Sequence, residues 1–225
     1  DIACYFPLSD EKSKTPSVLA FDFKTAHTLN WDEYDLVDFN GKQVKSYDVF
    51  QAVPIRLACS PDGKLLAANE YSNVLTLCDT ATGAKVHQQL IPGGQGGSVA
   101  FSPDSKLLAW SAGDNTIHIM NLATFKDQVV IENRGGPLDA LTFSTDGRSL
   151  LWGGQHWPTI FVFDVHTGVE RAQLRHHLGP IEDIRFAPDG HSFASASKDA
   201  TVLVWDWHQY HARRGQSELP LDHKQ

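Results

Sequence analysis

Three observations predict an all-β chain, a β-propeller of four-stranded antiparallel blades. The turn Ser60-Pro61-Asp62-Gly63 recurs as Ser102-Pro103-Asp104-Ser105, Ser144-Thr145-Asp146-Gly147 and Ala187-Pro188-Asp189-Gly190, at separations of 42, 42 and 43 positions. A second marker keeps the same register: Cys78-Asp79, Met120-Asn121, Phe163-Asp164 and Trp205-Asp206 follow one another at 42, 43 and 42. Between these markers lie short runs of β-branched, aromatic and small apolar residues, without the long 3.6-residue periodicity of helical repeats. A period of about 40–45 residues holding about four short strands is that of propeller blades.

The chain reads as about five blades, four regular and the first degenerate. Residues 1–50 are the least regular: Ile2 to Leu8 and Ser17 to Phe23 are candidate strands, and Glu33 to Asp38 with Gln43 to Phe50 form a hairpin around Asn40-Gly41, a pair suited to a tight turn. In the next blade the strands are Ile55 to Cys59, Lys64 to Asn69, Asn73 to Asp79 and Ala84 to Ile91. Ser98 to Phe101, Leu107 to Ser111, Thr116 to Asn121 and Asp127 to Glu132 make the third, and Leu138 to Phe143, Ser149 to Gly153, Thr159 to Asp164 and Val169 to Arg175 the fourth. The fifth has Ile181 to Phe186, Ser192 to Ser197 and Thr201 to Trp205, and then the pattern stops. This organises the chain as one domain over 1–206, with blades at 1–50, 51–92, 93–134, 135–176 and 177–206, and a tail at 207–225.

The missing outer strand of the fifth blade has physical weight, because an open blade leaves backbone donors and acceptors exposed along an edge. An N-terminal segment supplies that strand, or the tail does, or the chain is an arc of a larger ring, since seven blades of this period need about 300 residues.

With these markers the chain resembles the WD-repeat β-propellers. The resemblance implies a hydrogen-bonded tetrad in each blade: a His before the first strand, a Ser or Thr in the second, an Asp in the following turn and a Trp in the third. In the last unit these positions hold His177, Ser195 or Ser197, Asp199 and Trp205. Earlier units depart from the pattern, with Arg134 at one His position and Gln95, inside Gly93-Gly94-Gln95-Gly96-Gly97, at another.

Composition narrows the function classes. Formal net charge is −8 and the longest basic run is Arg213-Arg214, which argues against a nucleic-acid partner. No apolar stretch reaches bilayer-spanning length, so no membrane span is expected. The start, Asp1-Ile2-Ala3-Cys4, shows neither Met nor signal peptide and reads as trimmed or processed. Cys4, Cys59 and Cys78 are an odd set. Cys59 aligns with Phe101, Phe143 and Phe186, and Cys78 with Met120, Phe163 and Trp205, so both read as core hydrophobes, favouring a reducing, cytoplasmic setting.

His177, Ser195, Asp199 and Trp205 include the residue types of a hydrolase triad, but as blade positions they read as a structural network, and no Gly-x-Ser-x-Gly elbow accompanies them. The pairs His176-His177 and His208-x-x-His211 lack a His-Glu-x-x-His setting, so no metal and no cofactor are expected. Asp139, Glu182 and Asp183 fall on first strands, where a five-bladed glycan hydrolase keeps its acids, yet Ile55 to Cys59 carries none. Surface recognition is the stronger expectation. Arg56, Tyr71, Arg134, His156 and Trp157 fall at blade-joining turns, and exposed Arg and aromatic side chains on a rigid scaffold anchor protein partners. The reading is a noncatalytic scaffold binding a protein or peptide, with a glycan hydrolase and a subunit completing a larger ring in trans, or self-associating, as alternatives.

Overall fold

One hydroxyl explains the sequence of the repeated turn. Ser60 Oγ donates to Asp62 Oδ1 over 2.6 Å and accepts from the amide of Leu65 over 2.8 Å. Gly63 closes the turn at φ 72°, a conformation that costs a glycine little. Ser102 repeats the arrangement with Asp104 and Leu107, at 2.7 and 2.9 Å, and Ser144 with Asp146 and Ser149, at 2.5 and 3.0 Å. Ala187 has no hydroxyl, and Asp189 alone organises the fourth copy by accepting from the amide of His191 over 2.9 Å. The Ser102 hydroxyl, opposed by partial burial and helped by Lys106, holds the Asp104 carboxyl below the usual range. At Asp62 burial pushes upward and is outweighed by Ser60 and Lys64.

A computed structural model describes residues 3–6, 17–20, 34–37, 43–47, 54–94, 96–132, 138–154 and 156–208. Its strands form five antiparallel sheets, each ordered along the chain. The first sheet is β1 (Ala3–Phe6), β2 (Ser17–Ala20), β3 (Tyr34–Val37) and β4 (Gln43–Tyr47), and the second is β5 (Pro54–Cys59), β6 (Leu65–Glu70), β7 (Val74–Asp79) and β8 (Lys85–Leu90). The third is β9 (Val99–Phe101), β10 (Leu107–Ser111), β11 (Thr116–Asn121) and β12 (Lys126–Glu132). The fourth is β13 (Leu138–Phe143), β14 (Ser149–Gly154), β15 (Trp157–Asp164) and β16 (Glu170–Arg175), and the fifth is β17 (Ile181–Phe186), β18 (Ser192–Ser197) and β19 (Val202–Asp206). These are the blades of a β-propeller. The Asn40-Gly41 turn, Gln95, Arg134 and residues 209–225 lie outside the described residues.

The first strands follow one another as β1, β5, β9, β13 and β17, each packed on the next. Side chains alternate across each sheet, so the third and fourth blades each show one face to the preceding blade and the other to the following one. Leu75 and Leu77 of the second blade pack with Phe101, Leu108 and Trp110 of the third. Ile117 and Ile119 of the third pack with Phe143, Leu150 and Trp152 of the fourth. Ile160 and Val162 of the fourth pack with Ile181, Ile184 and Phe193 of the fifth.

The core runs one residue past the expected boundary at 206. Trp207 is 3% exposed and packs against Phe186 and Phe193. Its amide donates to His191 O over 2.8 Å, the bond that Leu122 makes to Lys106 and Val165 to Arg148 in earlier blades. The 42- and 43-residue spacing, carried from Leu122 and Val165 to 207, points to the same conclusion. No helix among the described residues is long and apolar enough to cross a membrane.

Candidate interaction surface

The start of each blade's first strand and the end of its second lie at one edge of the sheet, as the pairings of Pro54 with Glu70 and of Leu138 with Gly154 show. Loops between blades and turns between second and third strands therefore share one face. Tyr71, 62% exposed, lies in such a turn, and exposed His156 lies in the corresponding turn two blades on. Two of the residues expected in turns stand on strands instead. Arg56 is an exposed residue of β5 opposite Asn69, and Trp157 opens β15, because pairing with Gly154 extends that strand beyond its β-branched run. Arg56 and Tyr71 thus belong to the second blade and His156 and Trp157 to the fourth, with the third blade between them. They make two separate patches.

Around Trp157 the surface becomes concave. A groove of about 980 Å³ runs between the outer strand β12 of the third blade and strands β14 to β16 of the fourth. Trp152 and Phe161, neighbours across β14 and β15, stack with centroids 4.4 Å apart and contribute apolar lining. Trp157, 50% exposed, adds an indole at the rim. On β16, Gln173 Nε2 donates to Glu170 Oε1 over 2.7 Å and Arg175 donates to Gln173, a polar rail along one wall. Glu132 lines the groove from β12, and His176, His177 and Leu178 also line it.

That boundary is fixed by a hydrogen-bonded network in the fifth blade. His177 Nδ1 lies 3.1 Å from Asp199 Oδ2 and 3.0 Å from Thr201 Oγ1, while its Nε2 lies 2.7 Å from Ser195 Oγ. Trp205 Nε1 donates to the same Ser195 Oγ over 2.8 Å. In the neutral imidazole the proton sits on Nδ1, facing the carboxylate, and Ser195 donates to Nε2. Asp199 also accepts from the amide of Leu178 over 2.7 Å, tying the groove wall to the network. The Thr201 hydroxyl, opposed by desolvation and joined by the amides of Leu178 and Thr201 and by His177, holds the Asp199 carboxyl far below its ordinary range. Ser197 donates to Gly179 O over 2.9 Å and accepts from the amide of Asp199 over 3.2 Å. Ser195, with one hydroxyl already shared between an indole and an imidazole, sits in a satisfied buried network that ties three segments together.

Other blades fill this position differently. Trp110 and Trp152 occupy the place of Ser195, Trp110 stacking on His118 at 4.1 Å. His118 is held in turn by Asp127 at 2.7 Å and Thr116 at 2.8 Å, a chain that sequence reading passed over. Repeat spacing could have found part of it, because Asp114 and Thr116 stand where Asp199 and Thr201 stand. In the third blade a glycine loop replaces the histidine. A Cβ on Gly93 would lie 2.1 Å from Asp114 N, so backbone packs directly on backbone.

The acids expected along the first strands are engaged locally. Glu182 Oε1 pairs with Lys198 at 3.2 Å and Asp183 Oδ2 with Arg185 at 3.0 Å, while the Asp139 side chain lies outside the described residues. Among the described residues no three His, Cys, Asp or Glu side chains converge as a metal site.

The family model of the WD domain, G-beta repeat, matches residues 92–121 and 168–206. The first match spans β9 to β11 and the second β16 to β19. Over 53 residues the chain is 40% identical to the serine-threonine kinase receptor-associated protein of Gallus gallus, 38% to that of Homo sapiens and 43% to that of Dictyostelium discoideum. The aligned stretch is 24% of this chain and covers only 15–17% of the relatives' lengths.

Proposed function

From a chain that carries WD repeats in propeller blades, we propose a noncatalytic scaffold that binds a protein or peptide partner in the groove between its third and fourth blades. The observation that carries this reading is the concave surface around Trp157, with a stacked Trp152–Phe161 pair in its lining and a polar rail of Glu170, Gln173 and Arg175. An exposed aromatic beside a preformed apolar depression is the usual anchor of a protein interface. The relatives' name, serine-threonine kinase receptor-associated protein, gives those proteins as associated with a receptor and supports a protein as the class of partner here. Tyr71 with Arg56 offers a second contact patch on the same face. Cys78 in the core and half-buried Cys59 favour a reducing, cytoplasmic setting for the scaffold.

Panning a random-peptide phage library over the purified chain tests the reading. Enriched peptides that bind Trp157→Ala at least about tenfold more weakly would support it. Enrichment indifferent to Trp157→Ala, or no enrichment, would overturn it.

A further inference from the structure

We propose that Leu178 is a second anchor of the groove, held in place by the fifth-blade network, and that with Trp157 it takes an uncharged apolar side chain of the partner segment. The proposal rests on the scaffold reading and names both a further contact residue and the chemistry it selects. Leu178 is 92% exposed, more than any other large apolar side chain among the described residues. It lines the groove with Trp157 and Val130, which are 50% and 52% exposed. These three come from separate segments: the linker into the fifth blade, the start of β15, and β12.

An exposed leucine alone is ordinary. This one differs in how its backbone is held. The His176 ring leans on Trp205 with centroids 5.6 Å apart, and His177 is buried between Asp199 and Ser195. The Leu178 amide donates to Asp199 Oδ2 over 2.7 Å, Gly179 O accepts from Ser197 Oγ over 2.9 Å, and Pro180 O accepts from the amide of Lys198 over 2.9 Å. Five consecutive residues thus pack on or bond to the fifth blade while the Leu178 side chain stays in solvent. A backbone fixed in advance loses little further freedom on binding, so its side chain is a preorganised anchor.

The walls decide what that anchor meets. Glu132 pairs with Thr116 and Arg175 with Thr159, equivalent places in successive blades, so opposite charges stand at matching levels on the two walls. Neither sign of charge is favoured between them. The surface left by Trp157, Leu178 and Val130 is apolar, and Leu, Ile, Met or Phe gains there from burial while an ionised side chain loses water.

The probes are the Trp157-dependent peptides recovered by panning, labelled with fluorescein and titrated against the full chain by fluorescence anisotropy. Expected are an apolar residue common to them and binding weakened at least about fivefold by Leu178→Ser, with an unchanged thermal unfolding curve because the side chain is exposed. Replacing the peptide's apolar residue by Ala should cost less against Leu178→Ser than against the parent, the non-additivity of groups in contact. Asp199→Ala, assayed below its unfolding transition, should weaken the same peptides in the parent and have little further effect in Leu178→Ser. Binding unchanged in Leu178→Ser, strictly multiplicative losses, or an Asp199→Ala effect undiminished in Leu178→Ser would overturn the proposal. Peptides that need Trp157 but not Leu178 sink it and leave the scaffold reading standing, whereas recovery of no peptide sinks both.

Discussion

Trp205 and Ser195 are joined by an indole-to-hydroxyl hydrogen bond of 2.8 Å, and the same hydroxyl meets the ring of His177 at 2.7 Å. Ser195→Ala leaves the buried His177 Nε2 and the part-buried Trp205 Nε1 without their partner. The expected loss is about 1–3 kcal/mol. Ser197→Ala removes a bond to Gly179 O and one from the Asp199 amide, both only part-buried and open to replacement by water, and should cost about 0.5–1.5 kcal/mol. Urea unfolding of the two variants checks the order, and an equal shift would contradict the network described for Ser195.

The tryptophans separate by the same logic. Trp152 Nε1 is buried with no acceptor, whereas Trp205 Nε1 has Ser195. Trp205→Phe should therefore lose about 1–3 kcal/mol by leaving the Ser195 hydroxyl short of a donor. Trp152→Phe removes an unsatisfied donor along with some packing, and should cost less than Trp205→Phe despite its deeper burial. Chemical denaturation midpoints compare them directly.

Acid should act on the network through Asp199. Its carboxyl lies below the ordinary carboxylate range in the folded chain, chiefly through the Thr201 hydroxyl, so the folded state holds its proton less tightly than the unfolded state does. That difference adds stability at all pH values above the unfolded carboxylate range and is lost as pH falls toward the folded value. Asp199→Asn should be less stable than the parent at pH 7, and its stability should fall less between about pH 4 and pH 2. Thermal midpoints across that window read the difference; parallel curves would argue against it.

Gly93→Ala meets two obstacles. Gly93 has φ 71°, and the added Cβ would stand 2.1 Å from Asp114 N and 2.6 Å from its Cα. Backbone cannot swing aside as a side chain can. A loss of about 2–4 kcal/mol is expected from the left-handed conformation and the overpacking together. Gly94→Ala, whose Cβ would meet only Asn73 Oδ1 at 4.0 Å, isolates the conformational part.

The blades were legible because each repeated turn is a local device: Ser60, Ser102 and Ser144 bond within five residues of themselves. Trp207 shows where reading stopped short, since the third-strand pattern of the fifth blade ends at Asp206 while the buried core takes in the next residue. The groove was only partly visible. Trp157 stands out as an exposed-looking aromatic next to a turn, but Glu132, Trp152, Phe161 and Arg175 come from four different strands of two blades, and no spacing rule links them.

The sequence by itself determined the repeat and the antiparallel strands, because turn chemistry and period-two alternation act over a few residues and recur at each unit; the candidates for the fifth-blade network came from the resemblance to WD repeats. Only the tertiary structure decided that Ser195 rather than Ser197 joins His177 to Trp205, and that Arg56–Tyr71 and His156–Trp157 are separate patches. Only it showed Val202 and Val204 in the open. Each of those outcomes depends on which face of a strand meets the neighbouring blade, a matter of how sheets stack rather than of any one sheet's sequence.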